Sequence, residues 1–111
     1  LRFAYLNAGK RSVTLDITKE SGRKIFLDLV ARSDIVLETF EPGYLPVHDL
    51  GYESLIENQP KLILVSLSGF GQDGPYANYK TPDLVGNAMG GLLYISGDPH
   101  MTPCNPPETQ S

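Results

Sequence analysis

A chain of 111 residues has room for one small domain at most. Its formal net charge of −4 argues against nucleic acid as the main partner, while a phosphorylated cofactor would need only a local cluster such as Lys10-Arg11. No apolar run approaches the roughly 20 residues that span a bilayer, and no charged-then-apolar signal segment opens the chain. Cys104 is the only cysteine, which rules out an internal disulfide or a cysteine-rich zinc site and fits a reducing, cytoplasmic setting.

Ser12-Val13-Thr14-Leu15-Asp16 alternates and carries β-branched residues, so it is predicted as a strand. Thr18 is the expected N-cap of a following helix, with Glu20 in the first turn where a carboxylate suits the helix dipole. Ile25, Phe26, Leu29 and Val30 recur at helical spacing, carrying that helix through Arg32, with Gly22 as its weak spot. Asp34-Ile35-Val36-Leu37-Glu38 is a second strand, which gives a βαβ unit with a right-handed crossover. Glu41-Pro42-Gly43 breaks the chain, and Tyr52 to Asn58 forms a short helix ended by Pro60. A third strand runs from Lys61 to Leu67, and Asp83 to Ile95 reads as helical, weakened at Gly90-Gly91. The fold class is α/β with a mostly parallel sheet. Three strands would leave apolar faces uncovered, so the sequence reads as a fragment of a longer chain.

The third strand empties into Ser68-Gly69-Phe70-Gly71-Gln72-Asp73-Gly74-Pro75-Tyr76. A glycine-rich loop at the carboxyl end of a strand is where open α/β sheets place their ligands. Gly69-x-Gly71-x-x-Gly74 also matches the dinucleotide-binding fingerprint, but that motif needs its last glycines to open a helix whose amides hold a pyrophosphate. Pro75 to Pro82 opens no long helix, and about 20 residues on, where a ribose-binding acid belongs, Gly90-Gly91-Leu92-Leu93 has no carboxylate. A nicotinamide or flavin site is disfavoured. A tight loop without any ligand is the plain alternative.

Taken in order, the motifs say more than any one of them. Asn7-x-x-Lys10-Arg11-Ser12-Val13-x-Leu15-Asp16 precedes Gly22-Arg23. Ser33 to Phe40 with Pro42-Gly43 then leads to Leu50-Gly51-Tyr52-Glu53-x-Leu55 and Asn58-x-Pro60-x-Leu62-Ile63. The glycine loop, Asp83 and Ala88-x-Gly90-Gly91-Leu92 close the series. In this order and spacing the chain resembles the family III CoA-transferases, which include formyl-CoA:oxalate and carnitine CoA-transferases and the related alpha-methylacyl-CoA racemase. The resemblance covers essentially all 111 residues.

The resemblance implies a Rossmann-like domain of which residues 1–111 are part, with CoA lying along the strand-exit loops. It implies a homodimer of interlocked chains, with acyl-CoA and a small carboxylic acid as partners. CoA would be a substrate, with no permanently bound cofactor and no metal. The implied reaction moves CoA through a covalent aspartyl intermediate, a hard exchange split into easier steps. The family nucleophile sits in a Gly-Asp step that would fall just beyond Ser111, so these residues alone are expected to be inactive. Asp98, in Gly97-Asp98-Pro99, imitates the step but falls too early and reads as a turn aspartate. Pro106-Pro107-x-x-Gln110 resembles members that need not keep that aspartate.

Residue by residue, Lys80 matches a lysine that touches CoA, against the ordinary reading of a solvated loop lysine. Thr39 and Phe40 match an Asn-Phe step bordering the CoA chain; Thr for Asn is a departure, and Phe40 reads equally as core. Leu15 and Asp16 match the exit of the first strand near the adenine end, whereas Lys10 and Arg11 lie at its start and read as surface. Asp83 matches a carboxylate close to the thioester, and reads equally as a helix-first-turn aspartate. Pro82 stands where racemases carry a histidine, and proline moves no proton; His48 and His100 fall elsewhere. Residues 41–50 also lack an arginine expected to meet a CoA phosphate. Two rivals stay open: a CoA-binding racemase or dehydratase-like relative, and a non-catalytic α/β fragment.

Overall fold

The structure, a computed structural model, describes residues 2–98, 100–102 and 104. Its elements in chain order are α1 (Arg2–Leu6), α2 (Glu20–Val30), β1 (Ile35–Glu38), α3 (Tyr44–Val47), α4 (Tyr52–Asn58), β2 (Ile63–Ser66) and α5 (Asp83–Met89), followed by a 3-10 turn at Leu92–Ile95. The class is α/β, as the alternating pattern indicates. β1 and β2 pair side by side in a two-stranded sheet. The Ile63 amide donates to the Asp34 carbonyl at 3.0 Å and the Leu67 amide to the Glu38 carbonyl at 2.9 Å. Both strands advance four residues between these bonds, which makes the pair parallel. In both strands the burial alternates with period two, as a pleated strand with one covered face requires.

The stretch 12–16, expected as a strand, has no regular structure. Alternation states which side chains could share a face; a strand also needs a neighbour to complete its ladder. Among the described residues the only sheet is β1–β2, and this stretch is not part of it. The βαβ connection accordingly runs from β1 through α3 and α4 to β2 rather than from residue 12 to residue 38.

The backbone falls into two compact units, one of Leu1–Val36 with Pro46–Ile63 and the other of Leu37–Leu45 with Leu64–Ser111. In the first, α2 packs on α4 around Val30, Leu50, Leu55 and Leu62, all buried. Lys19, not Thr18, is the N-cap of α2, and it makes no side-chain cap bond; Glu20 lies in the first turn as expected. The Thr18 hydroxyl and amide instead donate to Asp16 Oδ1, at 2.6 and 3.1 Å. α2 ends at Val30, two residues before Arg32, where the Ala31 amide donates to the Leu27 carbonyl and Ser33 Oγ to the Leu29 carbonyl. Gly22 is no weak spot but a buried necessity. A Cβ there would strike the Asp16 carbonyl, with the carbonyl carbon only 2.6 Å away. Arg23 Nη1 pairs with Asp49 Oδ2 at 2.9 Å, fastening α2 to the turn that leads into α4. Asp49 is the one described non-glycine residue with positive φ, at 58°.

In the second unit Leu45 and Ala77 are buried. The helix expected over Asp83 to Ile95 is divided. α5 stops at Met89, and Gly91 takes a left-handed φ of 81° before the 3-10 turn begins. The helix-breaking tendency of two adjacent glycines outweighs the apolar periodicity across them. Pro106, Pro107 and Gln110, singled out in the sequence, lie outside the described residues.

Candidate functional site

A cavity of about 620 Å³ opens in the second unit where β1 and β2 end. Its walls are residues 39–42 after β1, residues 67–69 after β2, and residues 77–82 leading to α5. The β1 exit is held by its own strand: Glu38 Oε2 accepts the Phe40 amide at 2.7 Å. The Tyr44 amide donates to the Glu41 carbonyl at 3.0 Å, closing a turn that contains Gly43 at φ 85°. The Phe40 ring stacks on Tyr44 with centroids 4.5 Å apart and an interplanar angle of 25°. This stacking orders Phe40 while leaving 42% of it exposed.

Across the β2 exit, the absence of a side chain at Gly69 is decisive. An added Cβ would collide with the Thr81 hydroxyl and Cβ and lie 2.7 Å from Thr81 Cγ2. Gly71 and Gly74 take φ values of 85° and 98°, so the turn itself requires glycine. Gln72 Nε2 donates to Ser68 Oγ at 3.2 Å, and the Ala77 amide to the Gly74 carbonyl at 3.3 Å. Three rings fill the outer loop. Tyr79 meets Tyr76 edge-on at 5.4 Å and Phe70 at 6.5 Å, and Phe70 lies 5.9 Å from Tyr76. The Tyr79 amide donates to the Tyr76 carbonyl at 2.8 Å, and Thr81 Oγ1 to the Tyr79 carbonyl at 3.3 Å.

Thr39, Phe40 and Lys80, three of the residues singled out from sequence, thus line one cavity. Leu15 and Asp16 belong to the first unit. There the Asp16 carboxylate is engaged locally, accepting from Thr18 and pairing with Lys19 Nζ at 3.4 Å. Those partners favour its charged form: the Thr18 hydroxyl bond above all, then the Thr18 amide and Lys19, hold its pKa below the ordinary 3.8. Asp83 opens α5 just after Pro82; its Oδ1 is shielded from solvent, and it does not itself line the cavity. Asp98 Oδ1 accepts the His100 amide at 2.9 Å, the geometry of an Asx turn. Among the described residues no group of histidine, cysteine and carboxylate side chains is placed to hold a metal ion. The features that sequence reasoning missed are Tyr79, the Glu38 brace and the Gly69–Thr81 contact. The Tyr76-x-x-Tyr79 spacing in a turn was the available signal for the first.

The model of CoA-transferase family III matches residues 1–109. The chain belongs to that family. An acetyl-CoA:oxalate CoA-transferase of Acetobacter aceti is 40% identical over 103 residues, which are 93% of this chain and 26% of the relative. A subunit of the succinyl-CoA:(R)-benzylsuccinate CoA-transferase of Thauera aromatica is 36% identical over 111 residues, 100% of this chain and 27% of that protein. Among solved structures, a CAIB/BAIF family protein from Brucella suis superposes with a TM-score of 0.84 at 41% identity, covering 89% of this chain and 26% of the other. This family III chain therefore spans about a quarter of the length of the relatives it matches. No described helix is long and apolar enough to cross a membrane.

Proposed function

We propose that residues 1–111 form part of the large, Rossmann-like CoA-binding domain of a longer enzyme that moves CoA between an acyl-CoA and a carboxylic acid. The observation that carries this reading is the cavity at the exits of two parallel strands, where Thr39, Phe40 and Lys80 converge within a family III chain. Such strand-exit crevices are the ligand positions of open α/β sheets. Lys80 supplies a cation for CoA, and Thr39 and Phe40 a wall along its chain. Leu15 and Asp16 are assigned to the adenine end, and Asp83 to the neighbourhood of the thioester. The enzyme is a cytoplasmic homodimer of interlocked chains.

The chemistry runs through an aspartate supplied by the chain beyond Ser111. Its carboxylate attacks the thioester carbonyl carbon, the C–S bond breaks, and CoA leaves as thiolate, giving a mixed anhydride. The thiolate attacks the aspartyl carbonyl and releases the first acid, leaving an aspartyl thioester. The acceptor carboxylate displaces the thiolate again, and the thiolate finally takes the acceptor acyl group and frees the aspartate. Each addition places negative charge on a carbonyl oxygen, and backbone amides of the glycine loop are suited to receive it.

Pro82 favours this reading over racemisation, since the position lacks a group able to take a proton from the α-carbon. The test is calorimetric titration of CoA into the full-length protein, with exchange of labelled carboxylic acid into acyl-CoA as the activity readout. Binding with exchange supports transfer. Binding with α-proton exchange and no acyl exchange selects the racemase-like rival. No heat and no competition by acyl-CoA selects the non-catalytic module.

A further inference from the structure

The cavity lining holds, among the described residues, one cation and one anion: Lys80 and Glu41. The nucleotide end of CoA carries a diphosphate and a further phosphate. One lysine offset by one glutamate is a poor match for that charge, because a desolvated anion needs compensating cations or donors. The pantetheine arm is uncharged, with a dimethyl-substituted carbon and two amides, and it matches a neutral wall made largely of Phe40, Leu67, Ala77 and Tyr79.

Tyr79 is the most solvent-open of these rings, at 64% exposure. It is nevertheless ordered, held edge-on by Tyr76 and Phe70 and by its own amide on the Tyr76 carbonyl. An aromatic side chain that is fixed before binding loses little conformational freedom on contact, so its apolar surface converts efficiently into affinity. An exposed ring braced by two others, with no further ring partner among the described residues, has the form of a binding wall.

We propose that Tyr79 is a specificity-determining residue that packs against the uncharged pantetheine arm of CoA. The inference rests on the CoA reading of the cavity. Tyr79 selects ligands that carry the arm and is indifferent to the nucleotide.

The experiment titrates CoA and adenosine 3′,5′-bisphosphate, which lacks the arm, into the full-length protein and its Tyr79→Ala, Tyr79→Leu and Tyr79→Phe variants. Tyr79→Ala is expected to weaken CoA about tenfold and leave the bisphosphate within about twofold. Tyr79→Leu, which keeps apolar bulk in the loop if the alanine variant fails to fold, is expected to weaken CoA about threefold and spare the bisphosphate. Tyr79→Phe restores CoA binding to within about twofold of the parent, because the ring and not the hydroxyl makes the contact. Equal losses for both ligands, or no loss for either, overturn the assignment of Tyr79 while leaving the CoA reading in place. A parent protein that binds neither ligand overturns the CoA reading itself.

Discussion

Replacing Gly22 by alanine sets two opposing effects against each other. Alanine is the better helix former by about 0.8–1 kcal/mol in a helix interior, and somewhat less at the third residue of α2. Propensity alone therefore predicts that Gly22→Ala stabilises the protein. The added methyl, however, is directed at the Asp16 carbonyl, whose carbon lies 2.6 Å from it. The obstacle is backbone, so no side-chain rotation relieves the contact. Either α2 tilts off α4 and its buried Leu55, or the Asp16–Lys19 turn opens and its Lys19-to-Asp16 backbone bond of 3.2 Å is lost. Overpacking of this kind costs about 1–3 kcal/mol. Subtracting the propensity gain leaves a net loss of up to about 2 kcal/mol. With a urea dependence of about 2 kcal/mol per molar, the unfolding midpoint falls by up to about 1 M. Urea unfolding followed by far-UV circular dichroism gives the sign directly, and amide exchange at Lys19 and Arg23 shows whether the turn has opened. A midpoint that rises, with those amides still protected, refutes the argument that the close approach to Asp16 dictates glycine here.

Thr18→Val removes the hydroxyl that does most to keep the Asp16 carboxylate ionised, so the Asp16 pKa is expected to rise toward 3.8, as read by side-chain NMR titration. The folded value lies below the unfolded one, so the stabilisation by Asp16 is present above the unfolded value and is lost as pH falls through the folded value; Thr18→Val shrinks that acid-side loss. Asp49→Gly is expected to be milder than Asp49→Ala. Both lose an exposed ion pair worth about 0–1 kcal/mol, but only glycine occupies φ 58° without strain, a difference of about 1 kcal/mol in thermal unfolding. Lys80→Ala is expected to weaken CoA by no more than about threefold and with little dependence on salt, because the uncharged arm offers its ammonium amide carbonyls rather than phosphates; a steep salt dependence would contradict that placement.

Much of the architecture was legible where short-range chemistry decides it. Gly51 ahead of Tyr52 and Pro60 after Asn58 bound α4 to the residue. The apolar runs around Ile35–Glu38 and Ile63–Ser66 marked the strands to within two residues. What escaped depended on partners distant in the chain. Alternation at 12–16 could not say that, among the described residues, no neighbour completes a ladder there. Gly22 looked like a weak spot because its constraint, the Asp16 carbonyl, is a contact rather than a pattern. In the cavity, Thr39, Phe40 and Lys80 were marked by resemblance to a family, whereas Tyr79 acquires its importance only from Tyr76 and Phe70 folding around it.

The absence of a side chain at residue 69 also governs how this region could be redesigned. Since the strand exit and the segment near Thr81 interlock through a gap smaller than a methyl group, neither can be exchanged alone. A graft meant to alter selectivity would have to carry residues 68–82 as a single cassette. Swapping Tyr79 within it leaves that interlock untouched.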